Sequence, residues 1–240
     1  MKARAAVAAM IMAPACCVFA QATPSAPASL PLQKVSQREL CITNGAVSTQ
    51  AGGRLAIDTP SSRAVLRTVT AQTAEIRFRY VGPSAEVKPL ASGELRRQIG
   101  LKLRAQDTCN LLYAMWHIEP DARIAVSIKR NPGKHLNEEC HANGYRNIKA
   151  RKSIELPRIR PGESHRLRAE LRGTNLTLFA DGAVAWEGTV DGAMEIDGPV
   201  GLRSDNARFE FDYYAAAELA DTRSKASDEK FSRCAVGAGD

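Results

Sequence analysis

From residue 75 onward the chain is written in short segments whose apolar and polar residues alternate at every second position. Residues 75–81 (EIRFRYV) set Ile76, Phe78 and Tyr80 against Arg77 and Arg79, and residues 98–104 (QIGLKLR) set Ile99, Leu101 and Leu103 against Lys102 and Arg104. Successive side chains of a strand point to opposite faces, so a period of two marks strands with one face in a core. Residues 123–130 (RIAVSIKR) alternate again, whereas 110–118 (NLLYAMWHI) are apolar at nearly every position, the pattern of a strand covered on both sides. Further strands are expected at 166–172, 175–181, 183–189, 199–203 and 207–214. Gly173-Thr174-Asn175, Asp181-Gly182 and Asp197-Gly198-Pro199 punctuate them with residues that accept turn geometry. Only 214–230 has helix-forming composition. The expected fold class is all-β, an antiparallel β-sandwich or jelly roll, with at most a short C-terminal helix.

Ahead of the strands, Lys2 and Arg4 precede an apolar run from Ala5 to Ala20 that Pro14 interrupts. This reads as a signal peptide over 1–20, shorter than the about 20 uninterrupted apolar residues a membrane span requires. Pro14 and Ala15 before Cys16 make a poor lipobox, which disfavours a lipid anchor. Residues 21–36 are rich in Ala, Pro and Ser and read as a flexible linker. One domain is expected over 37–216, followed by a tail at 217–240, with no other stretch able to span a membrane. The expected location is secreted or periplasmic. Once the leader is removed, Cys41, Cys109, Cys140 and Cys234 remain. An even number in an exported chain points to disulfides, and no two of these cysteines have metal-knuckle spacing.

The stretch 162–216 (GESHRLRAELRGTNLTLFADGAVAWEGTVDGAMEIDGPVGLRSDNARFEFDYYAA) resembles the C-terminal part of concanavalin A-like jelly rolls, including laminin-G-type and 3-keto-disaccharide hydrolase-like domains. The matching order is a strand ending at Gly173, a strand to the Asp181-Gly182 turn, and a strand carrying Trp186. Gly198-Pro199-Val200-Gly201-Leu202 and a last strand around Phe209-x-Phe211-Asp212 follow. Gly201 is expected to let the chain bend into that last strand. Of the three pairings open to four cysteines, the favoured one joins Cys109 to Cys140 across the central loop. It also joins Cys41 to Cys234, because the first and last strands of a jelly roll often share a sheet. A fold of this kind hosts unrelated activities, so function must come from a site.

Catalytic motifs are scarce. Glycosidases of this superfamily carry Glu-x-Asp-x-x-Glu on one strand. Here Glu195-Ile196-Asp197 is followed by Gly198-Pro199-Val200, which leaves the acid–nucleophile pair incomplete. A polysaccharide lyase needs a base and an acid, for which His117 and Tyr145 are the candidates. On a strand beside Trp116, His117 reads more readily as a hydrogen-bonded core histidine, and His135 and His141 as solvated loop residues. Trp186 reads as a packing residue before a sugar platform. No Gly-x-Ser-x-Gly, phosphate loop or dinucleotide fingerprint occurs. No cofactor is expected. Calcium, which the resemblance allows, would need clustered oxygens, and Asp181, Asp191, Asp197, Asp205 and Asp212 are scattered among turns and strands.

Charge is more informative. Without Lys2 and Arg4 the 33 basic residues fall to 31 against 26 acidic ones, a net +5. Residues 129–152 (KRNPGKHLNEECHANGYRNIKARK) hold seven basic and two acidic residues, again +5, so one segment accounts for the whole excess. Stapled at Cys140 and carrying Tyr145, it is expected to bind an anionic glycan through Lys129, Arg130, Tyr145 and Arg146, together with Arg104 and His117 from outside the segment. Nucleic acid is disfavoured as a partner, since no recognition motif for it occurs. A hairpin between 98–104 and 110–118 would put Arg96, Gln98, Lys102, Arg104, Tyr113 and His117 on one face. A Pro120-Asp121 turn would then place Ile124, Val126 and Ile128 on that same polar face. One register must therefore slip by a residue. The expected function is an exported carbohydrate-binding domain. The alternatives are a polysaccharide lyase or glycoside hydrolase, and a non-catalytic cell-envelope interaction protein.

Overall fold

The structure is a computed structural model that describes residues 31–67 and 71–216. The expected signal peptide, most of the expected linker, Cys234 and the part of the expected helix and tail beyond residue 216 lie outside the described residues. Within them the chain forms two antiparallel sheets. The back sheet has nine strands. Eight of them run in the order β11 (Lys152–Ser153), β14 (Ala183–Thr189), β13 (Asn175–Ala180), β12 (Ser164–Arg172), β6 (Thr73–Pro83), β16 (Ala207–Ala216), β4 (Leu55–Ile57) and β3 (Ser48–Thr49). The ninth, β1 (Leu32–Val35), pairs with the end of β16, so residues read as linker are in part a strand. The front sheet runs β10 (Tyr145–Asn147), β9 (Arg123–Lys129), β8 (Leu111–Glu119), β7 (Arg97–Leu103), β15 (Gly201–Asp205), β5 (Ser61–Leu66) and β2 (Leu40–Asn44). One helical turn, α1 (Asn137–Cys140), sits in the loop before β10.

The alternation seen in the sequence becomes the division between core and surface. On β6, Ile76, Phe78 and Tyr80 are buried while Arg77 and Arg79 are exposed. Phe78 meets Trp116 of β8 edge-on across the sandwich at 5.8 Å between ring centroids, and Phe209 of β16 at 5.6 Å. Such edge-to-face contacts add about 0.5–1.5 kcal/mol beyond area burial. Asp181 and Gly182 have φ of 52° and 92°, the two positive angles of a tight hairpin turn between β13 and β14. Gly201 does not serve a bend. It lies within β15 where a Cβ would meet the Ala64 carbonyl oxygen at 2.2 Å, so a close approach to β5 excludes any side chain.

The register problem resolves at the turn after β8. Lys102 pairs with Tyr113 and Gln98 with His117, so the polar residues of β7 and β8 do share a face. Three residues, Pro120–Ala122, separate β8 from β9, which pairs Ile124 with Trp116 and His117 with Arg123. The odd turn moves Ile124, Val126 and Ile128 to the core side. The outer face of the front sheet is left with polar residues and a small apolar cluster containing Cys41, Leu111, Tyr113 and Met115.

Candidate functional site

Among the described residues, two cavities of about 610 and 500 Å3 open on this outer face. Both are lined by Leu90, Ala91, Ala142, Tyr145 and Arg203, which makes them compartments of one cleft. One wall is the segment between β6 and β7. Asn206, buried at the turn between β15 and β16 with a positive φ of 54°, clamps both ends of that wall. Its Oδ1 accepts from the Lys88 amide at 2.8 Å, and its Nδ2 donates to the carbonyls of Lys88 at 2.8 Å and Arg96 at 3.1 Å.

The other wall is the loop from 131 to 145, which carries α1. The expected disulfide Cys109–Cys140 ties it to the start of β8. Asn110 and Asn131 reinforce the tie. Asn110 Nδ2 donates to the Lys134 carbonyl at 2.8 Å, the Asn131 amide donates to Asn110 Oδ1 at 2.8 Å, and Asn131 Nδ2 reaches the carbonyls of Cys109 and Asn143. His135, expected to be solvated, uses Nδ1 to hold Asp107 Oδ2 at 2.7 Å, while His141 lines the smaller cavity. At the end of this wall Tyr145, 44 % exposed, stacks on buried Tyr113 with ring centroids 6.1 Å apart and planes at 22°. The Lys129 ammonium lies 5.2 Å from the Tyr145 ring centroid, and the Arg203 guanidinium 4.9 Å from that of Tyr113.

A charged network that alternation alone did not reveal floors the cleft. Arg63 Nη2 meets Asp205 Oδ1 at 2.9 Å, Arg203 Nε meets Asp205 Oδ2 at 2.8 Å, and Gln98 Nε2 donates to Asp205 Oδ2 at 2.6 Å. These residues come from β5, β15 and β7, adjacent strands whose register sets Arg203 beside Arg63 and Asp205 beside Gln98. Burial alone would raise the Asp205 pKa, but the Arg203 and Arg63 guanidiniums outweigh it and hold the carboxyl at about 2. Burial likewise opposes the Arg203 charge, and Asp205 with the two tyrosines overcomes it, so its pKa is raised. The signal available in the sequence was Arg203 and Asp205 at alternate positions of one strand, and the strand extends beyond the expected 199–203.

His117 is buried, though on the cleft side of the front sheet and not in the hydrophobic core. Its Nε2 lies 3.4 Å from Arg96 Nη1. Burial, with Arg96, Arg123 and Arg203 nearby, drives its pKa down to about 3, so the ring is neutral at ordinary pH. Among the sequence candidates, the cleft therefore gathers His117, Lys129 and Tyr145. It does not gather Arg104, Arg130 and Arg146. Arg104 donates to the Ile196 carbonyl at 3.1 Å, Arg130 pairs with Glu195, and Arg146 donates to the Asp191 carbonyl at 2.8 Å. All three are drawn to the segment 191–196, whose carbonyls and Glu195 attract them. Glu195 itself ends a single helical turn, Ala193–Glu195, in line with a turn acid. Trp186 is in the core and also borders the larger cavity. Of the scattered aspartates, Asp181 holds His165 Nδ1 at 2.8 Å and Asp212 pairs with Lys34 at 2.8 Å.

No protein-family model and no curated protein sequence matches the chain. Among solved structures it is similar to the carbohydrate-binding module CBM66 from Bacillus subtilis. The identity is 14 %, over 72 % of this chain and 91 % of that one, with a TM-score of 0.52. The Crh5 transglycosylase (11 % identity, 80 % and 89 % of the two chains, TM-score 0.46) and the carbohydrate recognition domain of Emp46p (15 %, 80 % and 97 %, TM-score 0.44) also align. At 14 % identity the likeness to the CBM66 module speaks to architecture alone, the two-sheet antiparallel jelly-roll sandwich expected from the sequence.

Proposed function

We propose that the chain is an exported carbohydrate-binding domain that takes an anionic glycan in the cleft on the outer face of its front sheet. The observation that carries this reading is Tyr145, an exposed ring stacked on a buried one between two walled compartments. Such a ring offers an apolar face to a sugar, and the polar groups around it offer hydrogen bonds. Fold likeness to a carbohydrate-binding module supports the reading. The basic groups lining the cleft, the exposed Arg123 among them, favour a negatively charged ligand. A glycan array followed by titration calorimetry tests the proposal. Binding of at least one acidic glycan, weakening steadily between about 50 and 500 mM salt, is expected as exposed charges become screened. Absence of binding to every glycan, with protein partners captured instead, would replace this reading with the envelope-interaction one.

A lyase reading draws on one observation, that His117 and Tyr145 line the same cavity. A histidine held near pKa 3 is a weak base, however, and efficient general bases titrate close to the working pH. Appearance of unsaturated products from uronate polysaccharides would favour catalysis over simple binding.

A further inference from the structure

The larger compartment of the cleft has an end that the basic segment 129–152 does not build. There the last residues before β7 bring Arg96 over β8, and β9 opens with Arg123. His117 lies between them, 3.4 Å from Arg96 on one side and the cross-strand neighbour of Arg123 on the other. Directly paired residues on adjacent strands have Cβ atoms about 4.5–5.5 Å apart, so the Arg123 side chain rises beside the imidazole. Three arginines, Arg96, Arg123 and Arg203, line this compartment, and among the described residues Glu94 is the one acidic residue in its lining.

The commitments of these cations differ. Arg203 is engaged by Asp205, and Arg96 by Glu94. Arg123 is exposed and makes no ion pair among the described residues. The neutral ring of His117 adds no charge and presents one nitrogen that donates and one that accepts, whichever tautomer it adopts. The Glu94 carboxylate already lies against a guanidinium at the edge of the compartment, as a ligand carboxylate would.

We propose that Arg96, His117 and Arg123 form a carboxylate subsite that selects glycans bearing a uronic-acid-type sugar. The planar fork of an arginine matches a carboxylate in a bidentate arrangement, and Arg123 has its fork available. Glu94 acts as an internal placeholder, keeping Arg96 extended over His117 until a ligand carboxylate shares or takes its place. This assignment rests on the carbohydrate-binding reading of the cleft and narrows it from anionic glycans in general to carboxylated ones. It also moves the anion site away from Arg130 and Arg146.

Calorimetry on the full chain would compare oligogalacturonate and oligoglucuronate with their carboxyl-reduced, neutral counterparts, and with a sulfated oligosaccharide that lacks carboxylates. At least one carboxylated member is expected to bind about tenfold tighter than its reduced counterpart, the range of one charge-assisted hydrogen-bonded pair. In Arg123→Gln that ratio should fall to near one. In Glu94→Gln, which frees Arg96, it should widen by about threefold or more, a gain that generic loss of folding cannot produce. Equal binding of the carboxylated and reduced members overturns the subsite and leaves the carbohydrate-binding reading standing, as does equal binding of the sulfated oligosaccharide. An unchanged ratio in Arg123→Gln overturns it too. Failure of every carbohydrate to bind sinks both.

Discussion

His117 is enclosed by Arg96 from the segment before β7, Arg123 on β9, and Arg203 and Asp205 on β15, and burial against these neighbours holds its pKa at about 3. In the unfolded chain the same ring titrates at its ordinary value of 6.5. As pH falls below 6.5 the unfolded state takes up a proton that the folded state refuses, so stability present above that pH is lost on the way down to about 3. The slope approaches about 1.4 kcal/mol per pH unit for this one group. His117→Gln keeps a polar side chain and removes the proton site. Urea unfolding followed from pH 6.5 to 4.5 should therefore show a flatter decline in the variant than in the parent. Parallel declines would show that the imidazole is not held neutral. Asp205 carries the opposite chemistry to the same end. With its pKa lowered from 3.8 to about 2, it contributes stability that is lost only below about pH 4, beneath the window in which His117 is read.

At the scale of elements, the strands with clean alternation or a continuous apolar run were legible. β6, β7, β8, β9, β12, β13, β14 and β16 fall within a few residues of the expected ranges. Those before residue 67 were not, because β2 to β5 are two to six residues long and broken by Gly, Ser and Thr, too short for a period of two to register. The shared face of Gln98, Lys102, Tyr113 and His117 could be read from parity alone. The odd turn after β8, which returns Ile124 to the core, could not, since turn length is set by geometry that adjacent residues only loosely specify. The 131–145 wall could be read as a stapled loop, and its staple has a measurable consequence. Cys109 and Cys140 are 31 residues apart, and a bridge over such a loop is worth about 3–4 kcal/mol in chain entropy. Cys109→Ala with Cys140→Ala should lower unfolding free energy by about that amount. Freed from β8, the wall should also hold Tyr145 less well, so affinity for a bound glycan should fall further than affinity at any site remote from the loop. A double variant that binds as tightly as the parent would show that the wall keeps its shape without the bridge.

On the scale of the whole molecule, the charge excess of segment 129–152 divides once the chain folds. Lys129 turns inward to the cleft, Arg130 and Arg146 are drawn to the 191–196 segment, and Arg151 pairs with Glu187 of β14 at the edge of the back sheet. A charge run that is contiguous in sequence becomes a set of separate fastenings between strands, while the cations that meet around His117 come from positions 96, 123 and 203, far apart in the chain. Proximity along the sequence is thus a poor guide to which cations share a field, and sheet register is a good one. This division can be tested by neutralising the fastenings. Arg130→Gln and Arg146→Gln remove exposed, solvent-screened contacts, for which a cost of at most about 1 kcal/mol is expected. Since neither side chain reaches the cleft, glycan affinity at moderate salt should stay within about twofold of the parent in both variants, while Arg123→Gln weakens binding of the carboxylated glycan about tenfold. The comparison is made at one protein concentration and about 150 mM salt, where exposed charges more than about 8 Å from a ligand are largely screened. If Arg130→Gln or Arg146→Gln weakens binding as much as Arg123→Gln does, the basic segment acts as one surface after all, and the cleft is only part of the site.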